Sequence, residues 1–255
     1  MQWCDHHGTS LAARFSVLVR LKNLWRLATK PLRERGIAET VRSVRVCFSA
    51  RERERRAPFD GPRGVDTEQR IRLTDLDAIG SDVQALWHYW PTSEKSFHDV
   101  MHDAAVHEGE QVFIDLGSGK GRAVLMASEY PFARVVGVEL SPALHEIAQR
   151  NVRQWRSSSQ RCFDIELLCA DVRDFAFPPE KMLVYLFQPF PKEVLEVVIE
   201  HLAQSLRECP RAVTVAYLNP IFHEQILRSG CLELERWGHP DNADEFAWAI
   251  YRTRA

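Results

Sequence analysis

Asp115 stands two residues before the first of three glycines at alternate positions, in the stretch Val112-Phe-Ile-Asp-Leu-Gly117-Ser118-Gly119-Lys-Gly121-Arg122. An apolar run ends in an acid, turns through glycine and enters a helical pattern, Ala123 to Ala127. That order reads as a buried strand, a tight turn and a helix start. Glycine tolerates positive φ and lets a ligand or another backbone come close. Free amides at a helix start favour anionic groups, and the Asp115 carboxylate can receive a cation or a hydroxyl. Acceptor and donors side by side are what a zwitterionic amino acid requires. Two further acids close comparable runs. Glu139 ends Arg134-Val-Val-Gly-Val-Glu139 and can accept from two ribose hydroxyls; it can equally be a helix N-terminal acid favoured by the dipole. Asp171 follows the run Phe163 to Cys169, with Asp174 close behind, and is either a ligand contact or a turn residue.

The glycine spacing is G-x-G-x-G, not the G-x-G-x-x-G of a dinucleotide fingerprint. Asp115 to Gly121 resembles motif I of the class I S-adenosylmethionine-dependent methyltransferases, and Val136-Gly-Val-Glu-Leu-Ser141 resembles their motif II. The resemblance implies S-adenosyl-L-methionine as cofactor. It would be held by Asp115, Gly117, Ser118, Gly119, Gly121, Glu139, Leu140, Asp171 and Val172, with Asp171 accepting from the adenine amino group and Val172 beside the ring. Tyr185-Leu-Phe-Gln-Pro-Phe190 lies where the family carries its acceptor motif. Gln188-Pro189-Phe190 is similar to the Asn-Pro-Phe variant of a little-characterised bacterial group. This implies that Gln188, Pro189 and Phe190 hold the methyl acceptor, a protein or small-molecule nitrogen. Gln188 is one methylene longer than that pattern, and its second proline is absent. Tyr89 and Trp90 precede Pro91; in resembling enzymes this segment covers the donor and shapes the acceptor pocket, and plain core is the other reading. The glycine turn and this aromatic segment are also similar to the histone-lysine methyltransferases built on this fold, a likeness too local to carry their substrate over.

Displacement at a sulfonium methyl needs alignment above all, and positioning can supply roughly 7–11 kcal/mol. Tyr89, Asp99 and His223 are bases by type only. His98 and His102 lie one turn apart, as zinc ligands can, but lack a third ligand at a telling spacing, so a polar helix face and no metal are expected.

The remaining chain must position these groups. Residues 1–56 hold 13 Lys and Arg against 5 Asp and Glu, whereas the other 199 hold 20 against 30. A basic arm thus precedes an acidic body, and the body does not favour nucleic acid as partner. Leu11, Phe15, Leu18, Leu21, Trp25 and Ala28 recur at helical spacing over 11–30, and 32–50 reads as a second helix. Such an arm can dock on its own protein, or make weak contact with an anionic membrane or a partner. No apolar run is long enough to span a bilayer. Six scattered cysteines form no C-x-x-C pair, which fits reduced thiols in a cytoplasmic protein.

Ala57-Pro-Phe-Asp-Gly-Pro62 sets the first boundary. The expected division is a basic helical extension over 1–57, a lid segment over 58–110 and a catalytic domain over 111–255. In the lid segment, loop and short extended pieces precede a helix from Glu94, capped by Ser93. Beyond it strands are expected at 112–116, 134–139, 163–169, 182–187, 212–218, 232–237 and 245–252. Helices begin near 121, 142 and 191, and another ends near 228. The alternation predicts an α/β fold. This is a Rossmann-like sheet of seven strands, mostly parallel, with helices on both faces and an antiparallel C-terminal hairpin. The leading expectation is a methyltransferase; the alternatives are an NAD-dependent oxidoreductase and a methyltransferase-like module that binds without catalysis.

Overall fold

The computed structural model describes residues 58–68, 90–106, 111–187, 190–240 and 245–254. The expected helices of the basic arm, and Tyr89, Gln188 and Pro189, lie outside the described residues.

β1 (Val112–Leu116) is buried at all five positions, as a parallel strand covered on both faces must be. It sits inside a seven-stranded sheet of order β3-β2-β1-β4-β5-β7-β6. The other strands are β2 (Arg134–Glu139), β3 (Ile165–Cys169), β4 (Met182–Phe187), β5 (Val213–Leu218), β6 (Leu232–Gly238) and β7 (Trp248–Thr253). β1 to β5 pair in parallel, while β7 runs antiparallel between β5 and β6. This is the expected Rossmann-like sheet with its reversed C-terminal strand.

Side-chain alternation divides the core into two layers. Val112, Ile114 and Leu116 point to one face, where they join Leu195, Val198, Ile199 and Leu202 of α5 (Lys192–Glu208) and Ile226 of α6 (His223–Arg228). Phe113 points to the other, stacked on Tyr185 at 6.0 Å and edge-on to Phe97 at 6.1 Å. Phe97 belongs to α2 (Glu94–Asp103), whose N-cap Ser93 accepts from the Ser96 amide as the sequence predicts. α3 (Arg122–Ala127) and α4 (Pro142–Gln154), the latter started by Ser141 and Pro142, complete this second layer.

Several boundaries differ from expectation, each for a local reason. β3 begins at Ile165 rather than Phe163, because its pairing with β2 starts at Val135 and Ile165, and Ala133 N–H, just before β2, donates instead to Gln111 O. Phe163 is left 78% exposed. β7 begins at Trp248 rather than 245, because β5 stops at Leu218 and Asn219 turns left-handed, with φ 56°. Residues 60–63, expected as loop or extended chain, form one helical turn, α1 (Asp60–Arg63), closed by Gly64 at φ 67°.

Candidate active site

The carboxyl ends of β1, β2 and β3 bring the predicted acids to one edge of the sheet. Between β1 and α3 the chain turns through Gly117, Gly119 and Gly121, at φ 83°, 55° and 83°. All three are left-handed, which other residues adopt only at a cost. The turn is fixed from below. Gly117 and Ser118 N–H both donate to Val138 O, at 2.8 and 2.9 Å, and Gly121 N–H donates to Ser118 O at 2.8 Å. Gly137 of β2 leaves room for this: a Cβ there would lie 2.9 Å from Leu167 and Val124 carbons and 3.0 Å from Ser118 Oγ. The Ser118 side chain is thus turned into the packing beneath the loop.

Glu139 ties the loop to β2. Its Oε2 accepts from Gly119 N–H at 2.7 Å and its Oε1 from Ser141 N–H at 2.8 Å. Burial pushes its pKa up, while the amides of Ser141, Gly119 and Leu140 pull it down. Asp115 pairs in register with Gly137 and Tyr185, so it lies on the α2–α3 face. Burial, and then the charge of Glu139, raise its pKa to about 8. Below that pH Asp115 is a neutral acid, and an arriving cation would ionise it.

Asp171 follows β3. It caps a 3₁₀ turn over Val172–Asp174, accepting from Arg173 N–H at 2.9 Å, and its Oδ2 lies 2.6 Å from the Arg173 guanidinium. Those bonds hold its pKa low. Val172 is buried in the core cluster beside Leu116 and Val138. Asp115, Glu139 and Asp171 therefore close three neighbouring strands, whereas Leu140 is a half-buried residue between Glu139 and Ser141.

On the side of β4, Phe190 is buried in the α5–α6 core. Trp90 is half-buried, edge-on to Phe246 at 6.0 Å, and Phe246 lies 5.6 Å from Phe187, the last residue of β4. These three rings form an aromatic wall at the strand ends. Beside it Thr92 Oγ1 lies 3.2 Å from the Tyr185 hydroxyl, both buried, and burial raises the Tyr185 pKa far above its ordinary value.

The candidate bases are dispersed. His223 bonds the Tyr251 hydroxyl at 2.7 Å on the α5–α6 face, opposite to Asp115, and Asp99 pairs with Lys95 at 2.6 Å. His98 Nδ1 lies 2.7 Å from the Tyr130 hydroxyl, while His102 is exposed beside Asp103, so the two histidines do not converge.

Sequence reasoning passed over Phe246, Thr92 and Asn219. Asn219 is buried at the end of β5 in a left-handed conformation before Pro220, a residue class that proline restricts. No pattern in the sequence announces a positive φ there.

Residues 113–209 match the family model described as a methyltransferase domain. No curated protein matches the chain. Solved structures resemble the chain at low identity. TrmN from Thermus thermophilus is 16% identical over 62% of this chain, with TM-score 0.45; the chain spans 48% of that protein's length. Magnesium protoporphyrin IX methyltransferase from Synechocystis PCC 6803, solved with bound SAM, is 15% identical over 64% of this chain and 77% of that one, TM-score 0.46. A TehB-like SAM-dependent methyltransferase from Corynebacterium glutamicum is 16% identical over 62% and 88%, TM-score 0.43.

Proposed function

We propose that this chain, whose residues 113–209 form a methyltransferase domain, transfers a methyl group from S-adenosyl-L-methionine to a nitrogen of a protein or small molecule. The observation that carries the reading is the row of acids at three adjacent strand ends, Asp115, Glu139 and Asp171, around a left-handed glycine turn. Each acid suits one part of the ligand. Asp115 would take the ammonium of the methionine part, close to the loop amides. Glu139, already fixed by Gly119 and Ser141, keeps lone pairs for ribose hydroxyls. Asp171 would accept from the adenine amino group while Arg173 holds its carboxylate in place.

The acceptor would enter from the wall of Trp90, Phe187 and Phe246, with Gln188 and Pro189 next in sequence to Phe187. Aromatic rings exclude water and suit an apolar or cationic body around the reacting nitrogen. The bound sulfonium supplies an activated methyl group; the protein aligns the acceptor and keeps solvent out. No helix among the described residues is long and apolar enough to cross a membrane. The six scattered cysteines, none in a C-x-x-C pair, support a cytoplasmic enzyme as part of the proposal.

Calorimetric titration with S-adenosylmethionine and with NAD tests the cofactor: saturation by the former alone is expected, and saturation by NAD alone would overturn the assignment. Uptake of labelled methyl groups by a cell lysate, strong with the wild type and lost with Asp115→Ala, tests the reaction. Gln188→Ala should slow uptake with little change in cofactor affinity; unaltered uptake removes Gln188 from the acceptor site.

A further inference from the structure

Lys120 lies between two left-handed glycines, yet its side chain is turned into the protein. It is completely buried, and its Nζ meets Asp66 Oδ1 at 2.7 Å. Asp66 comes from the segment 58–68, more than 50 residues earlier in the chain. The same segment is joined to the loop a second time through Asn151 of α4. Asn151 Nδ2 donates to Lys120 O and to Asp66 O, each at 2.9 Å, and its Oδ1 accepts from Asp66 N–H at 2.8 Å. One asparagine thus reads both backbones at once, with the ammonium–carboxylate pair closing the ring.

The segment is built to present Asp66. Asp60 Oδ2 accepts from the amides of Thr67 and Glu68, at 2.5 and 2.6 Å, and its Oδ1 from the Thr67 hydroxyl at 2.6 Å. Glu68 returns the favour by accepting from the amides of Phe59 and Asp60. The turn is anchored by Phe59, which stacks on Trp155 at 5.8 Å and lies under the Arg122 guanidinium at 4.3 Å. Arg122 is the first residue of α3, so the anchor also grips the far end of the glycine turn.

We infer that Asp66 is a positioning residue for the cofactor loop: through Lys120 and Asn151 it sets the place of the Gly119–Gly121 backbone, and so the affinity for the amino-acid end of the ligand. This rests on the reading of the site as one for S-adenosylmethionine. Losing the Asp66 carboxylate is costly for a buried ammonium, and the loop would move to rehydrate it. Gly119 N–H and Glu139 would then separate, and the backbone facing the methionine part would shift. The adenine end, at Asp171 beyond another strand, would not.

Titrations of the full chain with S-adenosylhomocysteine and with 5′-methylthioadenosine, which lacks the amino-acid end, separate these effects. Asp66→Asn should raise Kd for S-adenosylhomocysteine roughly tenfold and change that for methylthioadenosine less than about twofold. Asp66→Glu should recover part of the loss. Lys120→Met, which fills the space without charge, should make a further Asp66→Asn change nearly silent. Amide exchange at Gly119 to Arg122 in the unliganded Asp66→Asn protein should quicken. Equal loss for both ligands, or no loss and no change in exchange, overturns the inference. A wild type that binds neither nucleoside, with exchange quickened as expected, leaves the coupling standing and overturns the cofactor assignment instead.

Discussion

Asp115 is the residue whose chemistry is most altered by its place. Burial raises its pKa to about 8, far above its value in an unfolded chain, about 4. The folded protein therefore holds a proton between those values that the unfolded chain releases. By linkage this contribution to stability is complete below about pH 4 and is lost progressively as pH rises to about 8. Asp115→Asn should remove this decline, so that the variant melts higher than the wild type at pH 8 and nearly level with it at pH 4. A wild-type margin unchanged across that range would count against the shift. The ligand sees the opposite sign. An ammonium beside Asp115 favours its ionised form, so binding near pH 7 should expel a proton. Calorimetric enthalpies should then differ between phosphate and Tris by the buffers' ionisation heats, and affinity should rise as pH approaches 8. Gly119 sits in the same few ångströms at φ 55°. Gly119→Val imposes a left-handed conformation worth about 1–2 kcal/mol of strain and should lower Tm by roughly 2–8 °C. It should also abolish measurable cofactor binding; binding that survives would place the ligand elsewhere.

At the scale of elements, β1, the glycine turn and α3 act as one unit because β2 was made thin where they cross it. Gly137 is the thin point, with Val124 and Leu167 carbons 2.9 Å from where a Cβ would be. Gly137→Ala overfills that space, at a typical cost of about 1–3 kcal/mol, and chemical denaturation should show it as a lower midpoint with an unchanged slope. Since Ser118 meets the same point, the glycine turn should lift too, and cofactor affinity should fall with stability. Affinity that holds while stability drops would uncouple the two. These elements also show what was legible from sequence. β1, β2 and the start of α4 carry strong local signals: apolar runs, an Asp before alternating glycines, Ser141 before Pro142. Their places follow almost directly from residue type. β3 and β7 were read two to three residues too long, because an apolar or acidic residue next to a strand looks the same whether or not a neighbour is there to pair with it. The ring of Asp66, Asn151 and Lys120 had no signal at all, since it joins three distant stretches by single polar contacts. Val172 and Phe190 share the same lesson: their types suit ligand contact and core alike, and both are buried in the core cluster.

On the scale of the whole molecule the charge is divided, with net +8 on residues 1–56 and net −10 on the rest. The chain divides into two units, Met1–Phe48 and Ser49–Ala255, and every described residue falls in the second. The strap that reaches Lys120 begins after the arm, at Phe59. A chain starting at residue 58 should keep its cofactor Kd within about twofold in calorimetry, because it retains the bonds of Glu139 to Gly119 and Ser141 and of Lys120 to Asp66. The basic arm, by its charge alone, should sediment as a labelled 1–57 peptide with anionic vesicles at low ionic strength, at about 1 kcal/mol for each basic side chain near the surface. That binding should vanish near 0.5 M salt, where screening falls to a few ångströms, since the Debye length is about 10 Å at 0.1 M and about 3 Å at 1 M. A peptide that ignores the vesicles at low salt would remove an anionic membrane from the arm's partners.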